Sequence, residues 1–369
     1  MRFSKLFICF LTMYYLFIPL PIYGEELASL HSETAVLIDA TSGNILYDQD
    51  SQQKMYPASI TKIVTAIVAI EKGNVDDIVV VPKEATEVIG TRVYLVEDEE
   101  VSLLTLIQGL LINSGNDAGT AIAHHISGSE EAFALEMNRF IHDEIGVSQT
   151  NFTNPHGLFD ENHITTAYDM AKITQYALEN ELFREIVAMK EMEWKGEGWE
   201  TTIYNHHRML WDYEGATGVK NGFVRKSGYT LVTSAERDGM ELIAVTLNSP
   251  SASHAYEDTA MLLDYGFDSY ELHTLEAGEK FKTDTKKIFQ LNDDVHYVQK
   301  KGEKSNVYVN DSGLLRVVDE NNNRLMSSIL ELVETKKSDE DVIIEEGEES
   351  EEDSNSFFYR ILSYFGWVS

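Results

Sequence analysis

Cysteine is almost missing from this chain. The single thiol, Cys9, lies inside an apolar N-terminal stretch, so a product cleaved after that stretch has no disulfide, no thiolate nucleophile and no cysteine metal site. Positive charge is scarce as well: 29 Lys and Arg stand against 62 Asp and Glu, a formal net charge of −33. Nucleic acid is excluded as a partner, because binding it needs a basic footprint. His-Glu-x-x-His is absent; His124-His125 and His206-His207 are adjacent pairs, read as structural or surface residues, and neither a metal nor another cofactor is predicted. The long apolar run is confined to the N-terminus. Arg2 and Lys5 precede an apolar stretch from Leu6, with Pro19 and Pro21 just before Gly24, which reads as a signal peptide over residues 1–24 and predicts export.

What is present is a set of three short motifs in order: Ser59-Ile-Thr-Lys62, Ser114-Gly-Asn116 and Lys220-Asn-Gly222. Each recurs easily by chance. Ser51-Gln-Gln-Lys54, Ser42-Gly-Asn44 and Lys226-Ser-Gly228 are internal decoys for the first, second and third. Context separates them. Ser59 follows Pro57-Ala58 and opens an apolar run (Ile60, Ile63, Val64, Ile67, Val68, Ile70) at helical spacing, which puts Ser59 and Lys62 on one helical face. Ser51 and Lys54 lie in a polar stretch without that pattern, and Ser42-Gly-Asn44 reads as a turn between two short strands. A serine hydroxyl needs a base within hydrogen-bond reach, and a lysine serves when burial and neighbouring positive charge lower its pKa. Ser114 to Asn116 fall between two helical runs, Leu103 to Ile112 and Ala118 to Ile126. Lys220 lies on the first of three adjoining strands; the next two span about Tyr229–Ala235 and Glu241–Leu247, with a turn at Arg237-Asp-Gly-Met240. Taken singly, each motif also reads blandly, as a helix cap with a solvated lysine, a turn, and a strand-face lysine.

With these motifs, Pro57-Ala58 before the first, Asn154-Pro-His-Gly-Leu158, Thr166-Ala-Tyr-Asp169 and Leu263-Asp-Tyr-Gly-Phe267, the chain resembles the serine-type D-alanyl-D-alanine carboxypeptidases. These are the low-molecular-mass penicillin-binding proteins, with a β-lactamase/transpeptidase-like fold. Asn162-His and Thr166-Ala-Tyr-Asp169 resemble spore-associated members. The resemblance implies Ser59 as nucleophile, Lys62 as its base, and Ser114 and Asn116 in proton transfer and substrate positioning. It further implies Lys220 toward the terminal carboxylate, and an oxyanion hole from the backbone N–H of Ser59 and Phe223. Peptidoglycan stem peptides would be the substrate, β-lactams the inhibitors, and the cell wall or outer face of the cytoplasmic membrane the location. Asn221 departs from the family's Lys-Thr-Gly or Lys-Ser-Gly by replacing a hydroxyl with an amide beside Gly222. A second reading follows from it: a catalytically impaired peptidoglycan-binding or regulatory protein on the same fold. No Glu-x-x-Asn segment lies between Ser114 and Lys220 to suggest a class A β-lactamase.

The predicted fold class is α/β (α+β). A hairpin near Ala35–Tyr47 joins the strands around Val219, Leu231 and Ile243 in an antiparallel sheet, with helices between residues 59 and 190 flanking it and forming a lobe. Residues 25–270 make the catalytic domain. Residues 271–335 turn strand-like (Ile288-Phe289-Gln290, His296-Tyr-Val298, Val307-Tyr-Val309) and form a small β-rich accessory domain. Residues 336–355 are a self-repelling acidic linker. In residues 356–369, Phe357, Phe358, Ile361, Leu362, Phe365 and Val368 share one face of an amphipathic helix suited to a membrane interface.

Overall fold

The computed structural model describes residue 27 and residues 29–335; the expected signal peptide, acidic linker and terminal amphipathic helix lie outside the described residues. Five strands make the main sheet: β1 (Thr34–Asp39), β2 (Ile45–Gln49), β3 (Ala216–Val224), β4 (Gly228–Arg237) and β5 (Met240–Ser249). Their order is β2-β1-β5-β4-β3, and every neighbouring pair is antiparallel. The register places Val36 opposite Val245 and Ile38 opposite Ile243. β1 is buried along its whole length because both faces of the sheet are covered. Val36 and Ile38 join the larger core beneath the helical lobe, while Ala35 and Leu37 face a second core with Leu262, Leu263 and Phe267. One strand thus supplies two cores through the period-two alternation of its side chains.

The turns follow from their residues. At β1–β2, Asp39 accepts hydrogen bonds from the Ser42 backbone (2.9 Å) and hydroxyl, which spends Ser42 on the turn. Between β4 and β5, Asp238 and Gly239 both have positive φ (51° and 80°), as the two central residues of a type I′ hairpin turn require.

Five helices position the site: α1 (Lys62–Lys72), α2 (Leu103–Ile112), α3 (Asn116–Ser127), α4 (Ala167–Leu178) and α5 (Ala252–Ser269). α1 is rich in β-branched residues, which are poor helix formers alone, but Lys62 to Ala69 are all buried, so tertiary packing stabilises it. Side-chain caps fix the starts of α2, α4 and α5: Ser102, Thr166 and Ser251 accept from the backbone N–H of Thr105, Asp169 and His254. Ser59 departs from expectation in detail. It sits in a 3-10 turn, Ala58–Thr61, and the α-helix begins only at Lys62.

α5 runs directly into a strand, Tyr270–Leu275, which pairs with Val295–Lys300. Two three-stranded antiparallel sheets complete this part, with a core of Phe289, Leu291, Tyr297, Leu315, Val317, Met326 and Leu330. The three segments expected as strands fall within Lys287–Gln290, Val295–Lys300 and Asn306–Val309. Two short hairpins were not expected from the sequence: Ile78–Val80 with Glu100–Ser102, and Glu191–Lys195 with Glu200–Tyr204. Among the described residues, no helix is long and apolar enough to cross a membrane.

Candidate active site

The three motifs converge. Ser59, Ser114, Asn221, Gly222, Phe223 and Thr230 line one cavity of about 270 Å³ between the helical lobe and the edge strand β3. Ser59 is held there by its neighbours. Ala58 has a φ of +51°, a conformation costly for a residue with a Cβ, and the turn is tied down from several sides. Ala58 O accepts from Thr61 Oγ1 (2.8 Å), and Thr230 on β4 donates to Pro57 O (2.8 Å). Gly157 (φ +86°) lies so close that a Cβ there would come within 1.9 Å of Ala58 O.

Lys62 is fully buried and its Nζ is shared among three acceptors: Ser59 Oγ (3.1 Å), Asn116 Oδ1 (2.8 Å) and the His156 carbonyl (2.6 Å). Burial, and after it the charge of Lys220, push its pKa well below the ordinary lysine range; Asp117 pulls weakly the other way. The shift eases loss of the ammonium proton, which leaves a lone pair to face Ser59.

The second motif sits in the tight connection from α2 to α3. Ser114 is left-handed (φ +62°), and Asn116 begins α3 with its backbone N–H on Thr91 O (2.7 Å). Asn116 Nδ2 donates to Ile89 O (2.7 Å), which fixes the amide so that Oδ1 faces Lys62. Asp117 accepts from the backbone N–H of Val93 (3.0 Å), Leu95 (3.2 Å) and Ala118 (3.0 Å), binding the neighbouring loop to the motif.

On β3, Lys220 is buried and burial pulls its pKa to about 7; Nζ donates to Asn221 O (2.9 Å) and approaches Asn221 Oδ1 at 3.3 Å. Gly222 permits the closest approach of the strand to Ser59. A Cβ there would sit 2.7 Å from both Ser59 N and Thr230 Oγ1, so only glycine leaves this gap. Phe223 is exposed at the rim, its ring 4.5 Å from that of Tyr229. The decoys are elsewhere. Lys226 and Ser227 lie in the β3–β4 turn, where Ser227 Oγ accepts from Val224 N, and Ser51 is bonded to Asp48 while Lys54 is exposed.

Sequence reasoning missed several contributors. The Asn154–Leu158 segment was a landmark without a role, yet it supplies the His156 carbonyl to Lys62, and Asn154 Oδ1 accepts from Gly157 N (2.8 Å). His163 links to Thr61 Oγ1 (2.7 Å) and accepts from Thr153 N (3.0 Å); burial lowers its pKa to about 3, so the ring is neutral. His206, expected as a structural or surface residue, forms part of the cavity wall with Tyr256 of α5. Its partner His207 is buried, with Nε2 on Val232 O (2.9 Å). No sequence spacing links these residues to Ser59.

The chain belongs to the peptidase S11 family, described as D-alanyl-D-alanine carboxypeptidase, whose model matches residues 23–251. It is 33% identical over 297 residues to the D-alanyl-D-alanine carboxypeptidase DacF of Bacillus subtilis, spanning 76% of each chain. Among solved structures it is similar to penicillin binding protein 5 from Haemophilus influenzae, with TM-score 0.73 and 28% identity over 85% of this chain and 99% of that one. A mutant of the streptomyces K15 DD-transpeptidase matches with TM-score 0.62 and 26% identity, over 65% of this chain and 99% of its own. That second match covers less of this chain than the first.

Proposed function

We propose that this chain is a serine D-alanyl-D-alanine carboxypeptidase that removes the terminal D-Ala of peptidoglycan stem peptides. The observation that carries the reading is the contact between Lys62 and Ser59 at 3.1 Å, made by a buried lysine whose charged form is disfavoured. Ser59 Oγ attacks the carbonyl carbon of the penultimate D-Ala and gives its proton to neutral Lys62. The C–N bond then breaks, and the leaving nitrogen of the last residue takes a proton from Lys62 by way of Ser114. Free D-alanine departs, leaving an ester on Ser59. Water, deprotonated by Lys62, attacks that ester and returns Ser59 with a peptide one residue shorter.

The remaining residues select and stabilise. Asn116 orients Lys62 through their 2.8 Å bond. Lys220 attracts the terminal carboxylate, and Asn221 donates to it through Nδ2. The oxyanion would be held by the backbone N–H of Ser59 and Phe223, each such donor contributing a factor of about 10²–10³. Gly222 keeps β3 close enough to Ser59 for that pair to converge. A β-lactam acylates the same serine because its ring amide imitates the scissile bond. In the same reading the chain is exported and touches the outer face of the membrane through residues 356–369, on the strength of their sequence alone.

The test is release of free D-alanine from a peptide ending in D-Ala-D-Ala, with Ser59→Ala as control. Turnover by the wild-type chain and none by the variant is the expected result. A peptide that binds but is not shortened would instead support the binding-protein reading prompted by Asn221.

A further inference from the structure

Away from the Ser59 cavity, His31, His254 and Glu257 bring three ligand atoms within 4.8 Å of one another. His31 lies just before β1, and His254 and Glu257 sit one turn apart at the start of α5. We propose that these three residues bind a divalent cation of the zinc class, clipping the chain before β1 onto α5. No spacing in the sequence announces the group, since its members come from opposite ends of the main sheet's chain path.

The surroundings prepare the ligands. Asp258 is fully buried; its Oδ1 accepts from His31 N (3.0 Å) and lies 3.1 Å from His31 Nδ1, while Oδ2 accepts from Ser32 N (2.7 Å) and Oγ (2.6 Å). A carboxylate only accepts, so Nδ1 carries the hydrogen and Nε2 keeps its lone pair. A buried carboxylate holding a histidine's far nitrogen is the outer-shell arrangement that orients metal ligands. The His254 ring stacks on His31 (centroids 4.1 Å, 10°), and its Nδ1 is buried with no hydrogen-bond partner among the described residues. Glu257 spends one oxygen on Ser253 Oγ (2.9 Å) and has the other to give.

Two imidazoles and one carboxylate suit zinc better than calcium or magnesium, which prefer all-oxygen cages. Zinc–nitrogen bonds of about 2.0–2.1 Å put tetrahedral ligand atoms about 3.3 Å apart. Binding therefore keeps His31 Nδ1 on Asp258 while the His254 ring leaves its parallel stack and Glu257 turns in, bringing the lone pairs onto one ion. Water takes the fourth position. The clip bears on the cavity, because the same first turns of α5 contribute Ala252, Ala255 and Tyr256 to its wall.

The test is a Zn²⁺ titration of the chelator-stripped chain by equilibrium dialysis and thermal unfolding. One ion per chain is expected, with Tm rising by roughly 5 °C at a hundredfold excess over Kd. His254→Asn and Glu257→Gln should each weaken binding at least about tenfold, the loss typical even of outer-shell changes. His124→Asn should leave binding unchanged, and β-lactam acylation of Ser59 shows that each variant is folded. Glu257 is exposed, so its variant stands if His254→Asn misfolds. Wild-type stoichiometry and affinity in the folded variants would overturn the site, as would an equal Tm rise with Ca²⁺ or Mg²⁺.

Discussion

At Asn221 the chain replaces a hydroxyl by an amide, and the environment decides what that does. Its Oδ1 faces Lys220 Nζ at 3.3 Å, and in a fixed amide that orientation leaves Nδ2 as the donor for the cavity. The chemistry lost with the hydroxyl is one hydrogen-bond donor, and the amide supplies two. Removing the donor should matter more than exchanging it. A hydrogen bond to a charged group contributes about 1.5–3 kcal/mol, which is roughly ten- to a hundredfold in kcat/KM. Asn221→Ala is expected to lower kcat/KM for D-Ala release by about tenfold or more, whereas Asn221→Thr should retain it. A large gain in Asn221→Thr from a nearly inactive parent would show that the amide blocks the site.

Among elements, the site depends on how the Ser59 turn is gripped by β3, β4 and the Asn154–Leu158 segment. Gly157 is the tightest point, since a side chain there would both strain a φ of +86° and collide with Ala58 O. Gly157→Ala should cost several kcal/mol, more than the roughly 1 kcal/mol typical of a point substitution. Thr230→Val removes the side-chain bond to Pro57 O, which as the N-cap carbonyl keeps its bond within the turn. It should cost about 0.5–1.5 kcal/mol in urea unfolding and slow acylation as well. If Thr230→Val loses stability but acylates at the wild-type rate, the β4 contact does not position the nucleophile.

These grips also mark what the sequence could disclose. Local pattern carried the hairpin at Asp238-Gly239, the helices on either side of Ser114 and the strand of Lys220, since each rests on periodicity or turn chemistry within a few residues. It missed the two short hairpins, whose strands of three to five residues are too brief to set a period. Ser59 and Lys62 were legible as neighbours, but the 3-10 turn that joins them depends on Gly157 and Thr230, about a hundred and more residues away. Contacts of that range leave no spacing signal. His206 was hidden by its distance in sequence, and the His156 carbonyl because any residue has a carbonyl.

For the whole molecule, two lysines buried in one site make stability depend on pH. In the unfolded chain both titrate near about 10.4. In the folded chain Lys220 titrates at about 7 and Lys62 well below its ordinary value. Between about 7 and 10 the unfolded state binds more protons at Lys220, so folding becomes more favourable as pH rises and this gain is complete above the unfolded value. The Tm of the wild-type chain should therefore climb relative to Lys220→Met from pH 7 to pH 10. A constant difference across that range would mean that Lys220 is charged and solvated. His163 acts at the acid end with the same sign. Its pKa of about 3 when folded makes stability fall as pH drops below about 6.5.

Turnover by this chain requires an activated Ser59, which a β-lactam can capture. The most direct measurement is the intact mass of the chain after exposure to benzylpenicillin, beside Ser59→Ala and Lys62→Ala. One adduct per wild-type chain is predicted, none on Ser59→Ala, and acylation slowed by about 10²–10⁴ in Lys62→Ala. An adduct that persists on Ser59→Ala, or a wild-type chain that stays unmodified while a D-Ala-D-Ala peptide is also left intact, would contradict it.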